Sequence, residues 1–390
     1  MSLDFDSARL PNSSLTAEHH EWRAQLRRFF DHEVIPYAND WDENGAIPDE
    51  LWPKAAEIGL LGLGFPEEFG GTSEDIDVWH SIIANEEMAR VAVGGVAATL
   101  MVHGIGLPPV IDFGSDAIKQ MVAPHVLDGT KRICLGITEP GGGSDVAQLQ
   151  TTARLDGDHY VVNGSKTYIT GGMNANWVTT AVRTGGEGAG GVSALLIPAD
   201  AEGFSRTSLD KKQGWWCSDT ATIYFDNVRV PVGNLLGQEN RGFSVIMNNF
   251  NSERLAMSAA MEAFSRVCLE DAVIWARERQ TFGKRLADHQ VIRHKIAEMK
   301  QRINATQAYL QLTCEHVHGG NENAGDIALL KVQCSQTMEF CAREAMQILG
   351  GAGYIRGNRV ERIYREVRVN AIGGGSEEIM RDLAARQFGL

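Results

Sequence analysis

Several large functional classes are excluded by what this sequence lacks. Its six cysteines (Cys134, Cys217, Cys268, Cys314, Cys334, Cys341) contain no C-x-x-C pair and no zinc-type spacing, which argues against a disulfide scaffold or a structural zinc site. The string Cys314-Glu315-His316-Val317-His318 offers ligand types, but residues two apart on a helix point to different sides, and no metal is expected. There is no G-x-G-x-x-G between a strand and a helix, no Walker A string and no G-x-S-x-G elbow, so a nucleotide, if bound, is held in another way. Basic residues are scarce, 36 against 50 acidic ones, and the net charge of −14 disfavours a broad grip on nucleic acid or anionic lipid. The opening MSLDFDSARL has neither an apolar signal core nor an Arg-rich amphipathic pattern, so a cytoplasmic protein is expected. One charge-free stretch, 91–111, reaches membrane-spanning length. Its Gly and Ala content, His103 and paired prolines read instead as a fully buried helix, and no membrane span is expected.

What is present is ordinary globular composition, 43% hydrophobic and 22% charged, in a chain of 390 residues, long enough for two to four domains. The first third has a helical period: Thr16 marks a helix start, followed by apolar residues at Trp22, Leu26, Phe29, Phe30 and Val34. Further helices are expected over 51–61 and 75–90. From about Arg132 short strands take over, at 133–138, 177–183, 192–197 and 220–225. Asp156-Gly157 and Asn163-Gly164 read as two hairpin turns, and the GGEGAGG string at 185–191 as a flexible tip. From Gly242 the helical period returns to the end, broken by Gly-rich strings, which suggests an antiparallel bundle. The expected fold is α+β and multidomain: a helical N-terminal domain (1–130), a central antiparallel β-barrel or sandwich (131–238) and a C-terminal four-helix bundle (239–390).

Four strings could carry chemistry. Thr138 to Asp145, TEPGGGSD, leaves a strand and exposes backbone N–H groups without side-chain cover, which suits a flat or anionic ligand. Glu253 and Arg254 fall on the shoulders of an apolar helical stripe running from Phe243 through Phe250, Met257, Phe264 and Cys268. A carboxylate there loses water and its pKa rises toward that of a general base, although a Glu–Arg structural pair has the same spacing. Arg279-Gln280-Thr281-Phe282-Gly283-Lys284 puts cations, a hydroxyl and an aromatic at a helix end, either a phosphate site or a solvated C-terminus. Gly373-Gly374-Gly375-Ser376-Glu377-Glu378 ahead of an apolar helix is a ligand-facing loop or a simple turn.

Taken together, ITEPGGGSD, NGSKTYITGG, FDNVRVPVGNLLGQENRGF, RQTFGK, HQVIRHKIAEM, QILGGAGY and GGGSEEIMRDLAAR resemble the acyl-CoA dehydrogenase flavoproteins over essentially the whole chain. The resemblance implies non-covalent FAD. Leu135, Thr138, Gly143, Ser144, Tyr168, Ile169 and Thr170 would lie on one side of it. Arg279, Thr281, Phe282, Gln290, Gln347, Gly350 and Gly351 match residues that hold the FAD of a neighbouring subunit, and Ser376 and Glu378 match further contacts. A shared site implies a dimer at least, and the family pattern a homotetramer, a dimer of dimers.

Many members place the catalytic Glu where this chain has Gly374. The long-chain and isovaleryl branches place it on the helix after the β domain, and Glu253 in NSERLAM matches that position. The implied reaction is α,β-dehydrogenation of a fatty or branched acyl-CoA to the trans-2-enoyl-CoA. Glu253 would be the base and backbone N–H near Gly374 would hold the thioester carbonyl. Electrons would pass to an electron-transferring flavoprotein, as in β-oxidation. Ser144, Phe243, Asn251, Arg254 and Gly375 would line the substrate path and Met101 its tail pocket, with Ala98 and Thr99. Alternatives left open are an oxygen-using oxidase of acyl-CoA or a nitroalkane, and a non-catalytic acyl-CoA binder.

Overall fold

The computed structural model describes residues 3–390. The N-terminal third is helical: α1 (Ala17–Phe29), α2 (Ala38–Asn44), α3 (Leu51–Glu57), α4 (Val78–Arg90), α5 (Gly94–Leu100), α6 (His103–Gly106), α7 (Pro108–Phe113) and α8 (Asp116–Leu127). Thr16 caps α1 as its spacing suggests, but the side chain that returns the bond is His19 rather than a glutamate; Asp77 and His80 cap α4 in the same way. The charge-free stretch is buried, yet it is three short helices rather than one. Gly106 passes so close to Cys134 that a Cβ would stand 2.9 Å from its carbonyl carbon, and Pro108 restarts the helix. The path bends by 47° between α5 and the segment that follows, and no single described helix is long and apolar enough to cross a membrane.

The central domain is a mostly antiparallel sheet of β1 (Ile133–Gly136), β2 (Thr152–Asp156), β3 (His159–Thr170), β4 (Trp177–Arg183), β5 (Val192–Pro198), β6 (Phe204–Ser208), β7 (Thr220–Pro231) and β8 (Leu235–Leu236). The order is β6-β7-β3-β2-β4-β5-β8, with β1 parallel to β4. Asp156-Gly157 begins the hairpin expected of it. Asn163-Gly164 does not: β3 runs straight through it and is bulged there against β7. Gly164, at φ +143°, crosses Thr151 so closely that a Cβ would meet its Oγ1 at 2.6 Å, and Asn163 Oδ1 accepts the N–H of Asn227 at 2.9 Å. A glycine required by close approach therefore mimicked a turn signal. The glycine tip is fastened rather than loose, since the Arg183 guanidinium donates to the Gly188 carbonyl at 3.2 Å.

The C-terminal part holds α9 (Gly242–Met247), α10 (Phe250–Glu278), a minimal hairpin of β9 (Gln280–Thr281) and β10 (Lys284–Arg285), α11 (Gln290–His318), α12 (Ala324–Leu349), α13 (Gly351–Tyr354), α14 (Arg359–Ile372) and α15 (Glu377–Gln387). The stripe expected to start at Gly242 is interrupted at Asn248-Asn249, where Asn249 Nδ2 donates to the Gly104 carbonyl at 2.8 Å. Ser258 sits level with Cys334 and Ser265 with Cys341, so α10 and α12 run in the same direction, with α11 returning between them. Trp79 and Ile82 of α4 join the bundle core. Arg266, fully buried on α10, pairs with Glu262 at 2.9 Å and with Glu86 of α4 at 3.1 Å, fixing α10 against the N-terminal helices.

Candidate active site

The TEPGGGSD loop is built from below by a buried ion pair. Lys166 on β3, fully buried, donates from Nζ to the Glu139 carboxylate at 2.7 Å and to the Ile137 carbonyl at 3.0 Å. Glu139 also accepts the N–H groups of Gln150 (2.6 Å) and Thr151 (2.9 Å). Its carboxyl group lies below the usual range: burial opposes ionisation, but the Lys166 ammonium and these hydrogen bonds prevail. With Glu139 holding the base, the loop above is free to face outward. Gly141, Gly142, Gly143 and Ser144 are exposed, and the N–H groups of Gly141, Gly143 and Ser144 have no partner among the described residues. A Cβ on Gly141 or Gly142 would meet open space.

Tyr168 lies on the same sheet. Beside a bulge in the β3–β7 register it adopts φ +58°, uncommon for a bulky residue, and its side chain is 71% exposed while Lys166, Thr167 and Ile169 are buried. The bulge turns this ring outward where simple alternation with Lys166 would have buried it. Thr170 and Leu135 are partly buried, and Thr138 accepts the Thr167 N–H at 2.8 Å.

Glu253 lies in the first turn of α10, partly buried, and its carboxylate has no hydrogen-bond or ion-pair partner among the described residues. Burial raises its pKa to about 7; the positive charges of Arg254 and Lys331 pull it back only in part. One helical turn on, Met257 packs against the α14–α15 turn, its Sδ 2.9 Å from where a Gly374 Cβ would stand. Gly374 therefore faces the side of α10 that carries Glu253. Gly374 and Gly375 adopt φ +67° and +109°, and a Cβ on Gly375 would stand 2.4 Å from Met380 Cε, so the turn requires glycine. Arg254 Nε donates to the Gly374 carbonyl at 3.1 Å, Arg254 Nη1 to Asn251 Oδ1 at 3.2 Å, and Lys331 Nζ on α12 to the Gly375 carbonyl at 2.6 Å. The N–H groups of Gly374, Gly375 and Ser376 have no partner among the described residues. Ser376 caps α15 through Oγ, while Glu378 is exposed with its carboxyl group lowered by local hydrogen bonds. Phe243 and Phe250 pack into the same apolar cluster as Leu135 and Ile137, and Arg254 lies 5.4 Å over the Phe250 ring, which links the first loop to this turn. Met101, partly buried, ends α5 beside the buried Thr99, whose hydroxyl has no partner among the described residues.

The remaining candidates are elsewhere. Arg279 and Glu253 bracket one unbroken helix, and at roughly 1.5 Å per residue they are about 39 Å apart. Arg279 has no side-chain partner among the described residues, Phe282 is 96% exposed at φ +52°, and Thr281 Oγ1 lies 3.1 Å from His289 Nε2. Gln290, Gln347, Gly350 and Gly351 are exposed as well. Because α10 and α12 run in the same direction, the Arg279 and Gly350 ends coincide at the pole opposite Glu253. One chain brings the Glu253 group together and leaves the Arg279 group facing solvent.

Sequence reasoning missed Lys331, although a signal was there: it is the one charged residue between Asp326 and Glu339, and it directly follows the apolar run Ile327–Leu330. It also missed that Glu139 and Lys166 pair. Of the Cys314 string, only His318 approaches an acidic partner, Asp77 at 3.5 Å. His19, Asp77 and His80 have metal-like spacing, but Nδ1 of His19 accepts the Thr16 N–H and Nδ1 of His80 the Asp77 N–H, so both imidazoles are committed to helix caps.

Comparison with known proteins agrees along the whole chain. Residues 16–130, 134–228 and 240–389 match the acyl-CoA dehydrogenase N-terminal, middle and C-terminal domain families. The chain is 37% identical to acyl-CoA dehydrogenase AFT10-1 of Alternaria alternata, over 97% of this chain and 93% of that protein. It is 33% identical to the mitochondrial long-chain specific acyl-CoA dehydrogenase of Sus scrofa, over 96% and 87%. Its backbone superposes on a probable acyl-CoA dehydrogenase from Mycobacterium abscessus with a TM-score of 0.93 at 43% identity, covering 96% and 99% of the two chains. The chain belongs to the acyl-CoA dehydrogenase family, FAD-dependent oxidoreductases that act on acyl-CoA.

Proposed function

We propose that this enzyme oxidises a fatty or branched acyl-CoA at its α,β bond to the trans-2-enoyl-CoA, with Glu253 as the base. The observation that carries this reading is a partly buried carboxylate, its pKa raised to about 7, beside a turn of N–H groups, neither with a partner among the described residues. Glu253 removes the α-proton. The N–H groups of the Gly374–Ser376 turn receive the negative charge that develops on the thioester oxygen. Arg254 orients that turn and, with Asn251, lines the approach of the thioester; Ser144 and Phe243 flank the same approach, and Met101 contacts the tail. FAD, when bound, would supply the two-electron oxidation, as the acceptor for the hydride that leaves the β-carbon.

The residues present fit FAD. The open Gly141–Ser144 loop, with its free N–H groups, and the outward Tyr168 ring suit a flat, polar-edged group. In this reading Leu135, Thr138, Ile169, Thr170, Ser376 and Glu378 complete its surroundings. The separation of Arg279, Thr281, Phe282, Gln290, Gln347, Gly350 and Gly351 from Glu253 favours their serving the FAD of a second copy, hence at least a dimer and, by family pattern, a tetramer. An electron-transferring flavoprotein would be the partner that accepts the electrons in this reading. The test is the visible flavin spectrum during anaerobic addition of octanoyl-, palmitoyl- and isovaleryl-CoA. Bleaching of the oxidised band by one of them is expected and ranks the tails; a yellow protein that none of them bleaches would overturn the substrate assignment.

A further inference from the structure

Among the described residues two lysines are fully buried, Lys166 and Lys331. Placing a cation in the interior is costly unless a carboxylate pairs with it. Lys166 has one at 2.7 Å. Among the described residues Lys331 has no ion pair, and its single hydrogen bond, 2.6 Å to the Gly375 carbonyl, is its only direct polar contact. The charged groups around it are Glu377 on α15 and Arg254 and Glu253 on α10. Desolvation and the like charge of Arg254 lower its pKa to about 8 against the pull of the two glutamates, so the ammonium still predominates at neutral pH.

On the reading given above, we propose that Lys331 is a positioning residue for the acyl-CoA reaction: it holds the Gly375 carbonyl turned into the bundle, so that, with Arg254 on the Gly374 carbonyl, the N–H groups of Gly375 and Ser376 stay presented to the thioester beside Glu253. The geometry follows from the peptide bond. In a trans peptide the carbonyl and the N–H point in opposite directions. Drawing the Gly375 carbonyl toward Lys331 aims the Ser376 N–H the other way, and drawing the Gly374 carbonyl toward Arg254 does the same for the Gly375 N–H. Both peptides flank glycines at positive φ, the residues least able to hold an orientation by themselves. Two cations on successive carbonyls supply the rigidity that the glycines lack. Because no carboxylate touches Lys331, its charge also reaches through the held peptide to where negative charge develops during enolisation.

The experiment uses the FAD-loaded enzyme and whichever of octanoyl-, palmitoyl- and isovaleryl-CoA reduces the wild type fastest, in anaerobic stopped flow across pH. Lys331→Met is expected to lower the limiting rate of flavin reduction at least about tenfold, with FAD content unchanged and half-saturation moved much less. The acid limb of the rate profile should move to higher pH, because a cation near Glu253 has gone; a merely structural lysine would not move it. Lys331→Arg should return the limb toward its wild-type position. If Lys331→Met does not fold, Lys331→Gln, uncharged yet able to donate, decides by the same two readouts. A reduction rate within about twofold of wild type with an unmoved acid limb overturns the proposal. Glu253→Gln, run in parallel, separates the two claims. If that variant still reduces flavin, the site reading falls and this inference with it. If it is inactive while the uncharged Lys331 variant is normal, only the role of Lys331 falls.

Discussion

The enzyme carries two glycine loops, each braced by a buried lysine, and the two braces are built differently. Under Gly141–Ser144, Lys166 is neutralised by Glu139, which itself accepts two backbone hydrogen bonds. Under Gly374–Ser376, Lys331 is not neutralised by contact, and the nearby Glu253 has no partner among the described residues. The first brace closes its electrostatics within itself, as a scaffold requires. The second leaves a cation and a carboxylate apart and partly dehydrated, an arrangement that serves stability poorly and proton transfer well. The same residue types thus make a support in one place and a poised site in the other, and the difference lies in whether the carboxylate reaches the ammonium.

The largest expected effect breaks the second site. Glu253→Gln should lower the rate of flavin reduction by acyl-CoA by about 10²–10⁴-fold, the range for removing a general base, while FAD content stays at wild type. Stopped-flow absorbance measures it. Reduction within a few-fold of wild type would move the base to another residue and leave the contrast between the loops without functional content.

Next comes the scaffold. Lys166→Met strands the Glu139 carboxylate in the interior, and removing one member of a buried pair costs about 3–5 kcal/mol. Urea unfolding of the FAD-loaded enzyme should show the loss, and flavin should be retained less well because the loop above loses its base. Lys166→Met combined with Glu139→Gln should cost less than Lys166→Met alone, since no charge is then left buried. A double variant as unstable as the sum of its parts would show that the pair does not act as a unit.

How much of this could be read beforehand follows from the same residues. The helix–β–helix order and most strands were legible, because apolar period and hairpin chemistry are local: Trp177–Arg183 and the Asp156-Gly157 turn are as expected. The Asn163-Gly164 signal misled because its glycine answers Thr151, a contact across strands that no local pattern records. That Glu253 lies at the edge of a buried stripe was legible from its spacing. That it lacks a partner was not, since Arg254 next to it in sequence turns instead to the Gly374 carbonyl. The role of Lys331 was not legible, because a single lysine on a helix of mixed polarity has the same pattern as a surface residue. The parallel course of α10 and α12, which brings Lys331 level with Glu253, appears only in the packed bundle.

The glycines sharpen the comparison at a smaller scale. Gly375→Ala places a methyl 2.4 Å from Met380 Cε at φ +109°, and should cost roughly 1–3 kcal/mol and slow flavin reduction by disturbing the turn. Gly142→Ala meets open space and should change stability by less than about 0.5 kcal/mol. Thermal unfolding of the two variants side by side measures the difference. Equal costs would mean that the second turn is no more constrained than the first loop.

The smallest effect has the opposite sign. The pKa of Glu253 is about 7 in the folded enzyme and near 4.5 for an ordinary glutamate. Between those values the unfolded chain has released the proton while the folded one retains it, so this group lowers stability progressively as pH rises from 4.5 to 7, and the cost is complete above 7. Glu253→Gln should therefore leave stability unchanged near pH 4.5 and raise it by about 1 kcal/mol at pH 7.5, a gain kept small by the contact of the side chain with water. Lys166 and Lys331, lowered to about 8 from 10.5, add their own dependence between those values: stability rises with pH there, as the unfolded chain binds protons that the folded one has lost. Measurements at pH 4.5 and 7.5 stay below that window, and a comparison of unfolding midpoints at the two isolates Glu253. A variant less stable than wild type at pH 7.5 would mean that the carboxylate is held by favourable contacts after all, and the two loops would then be braced alike.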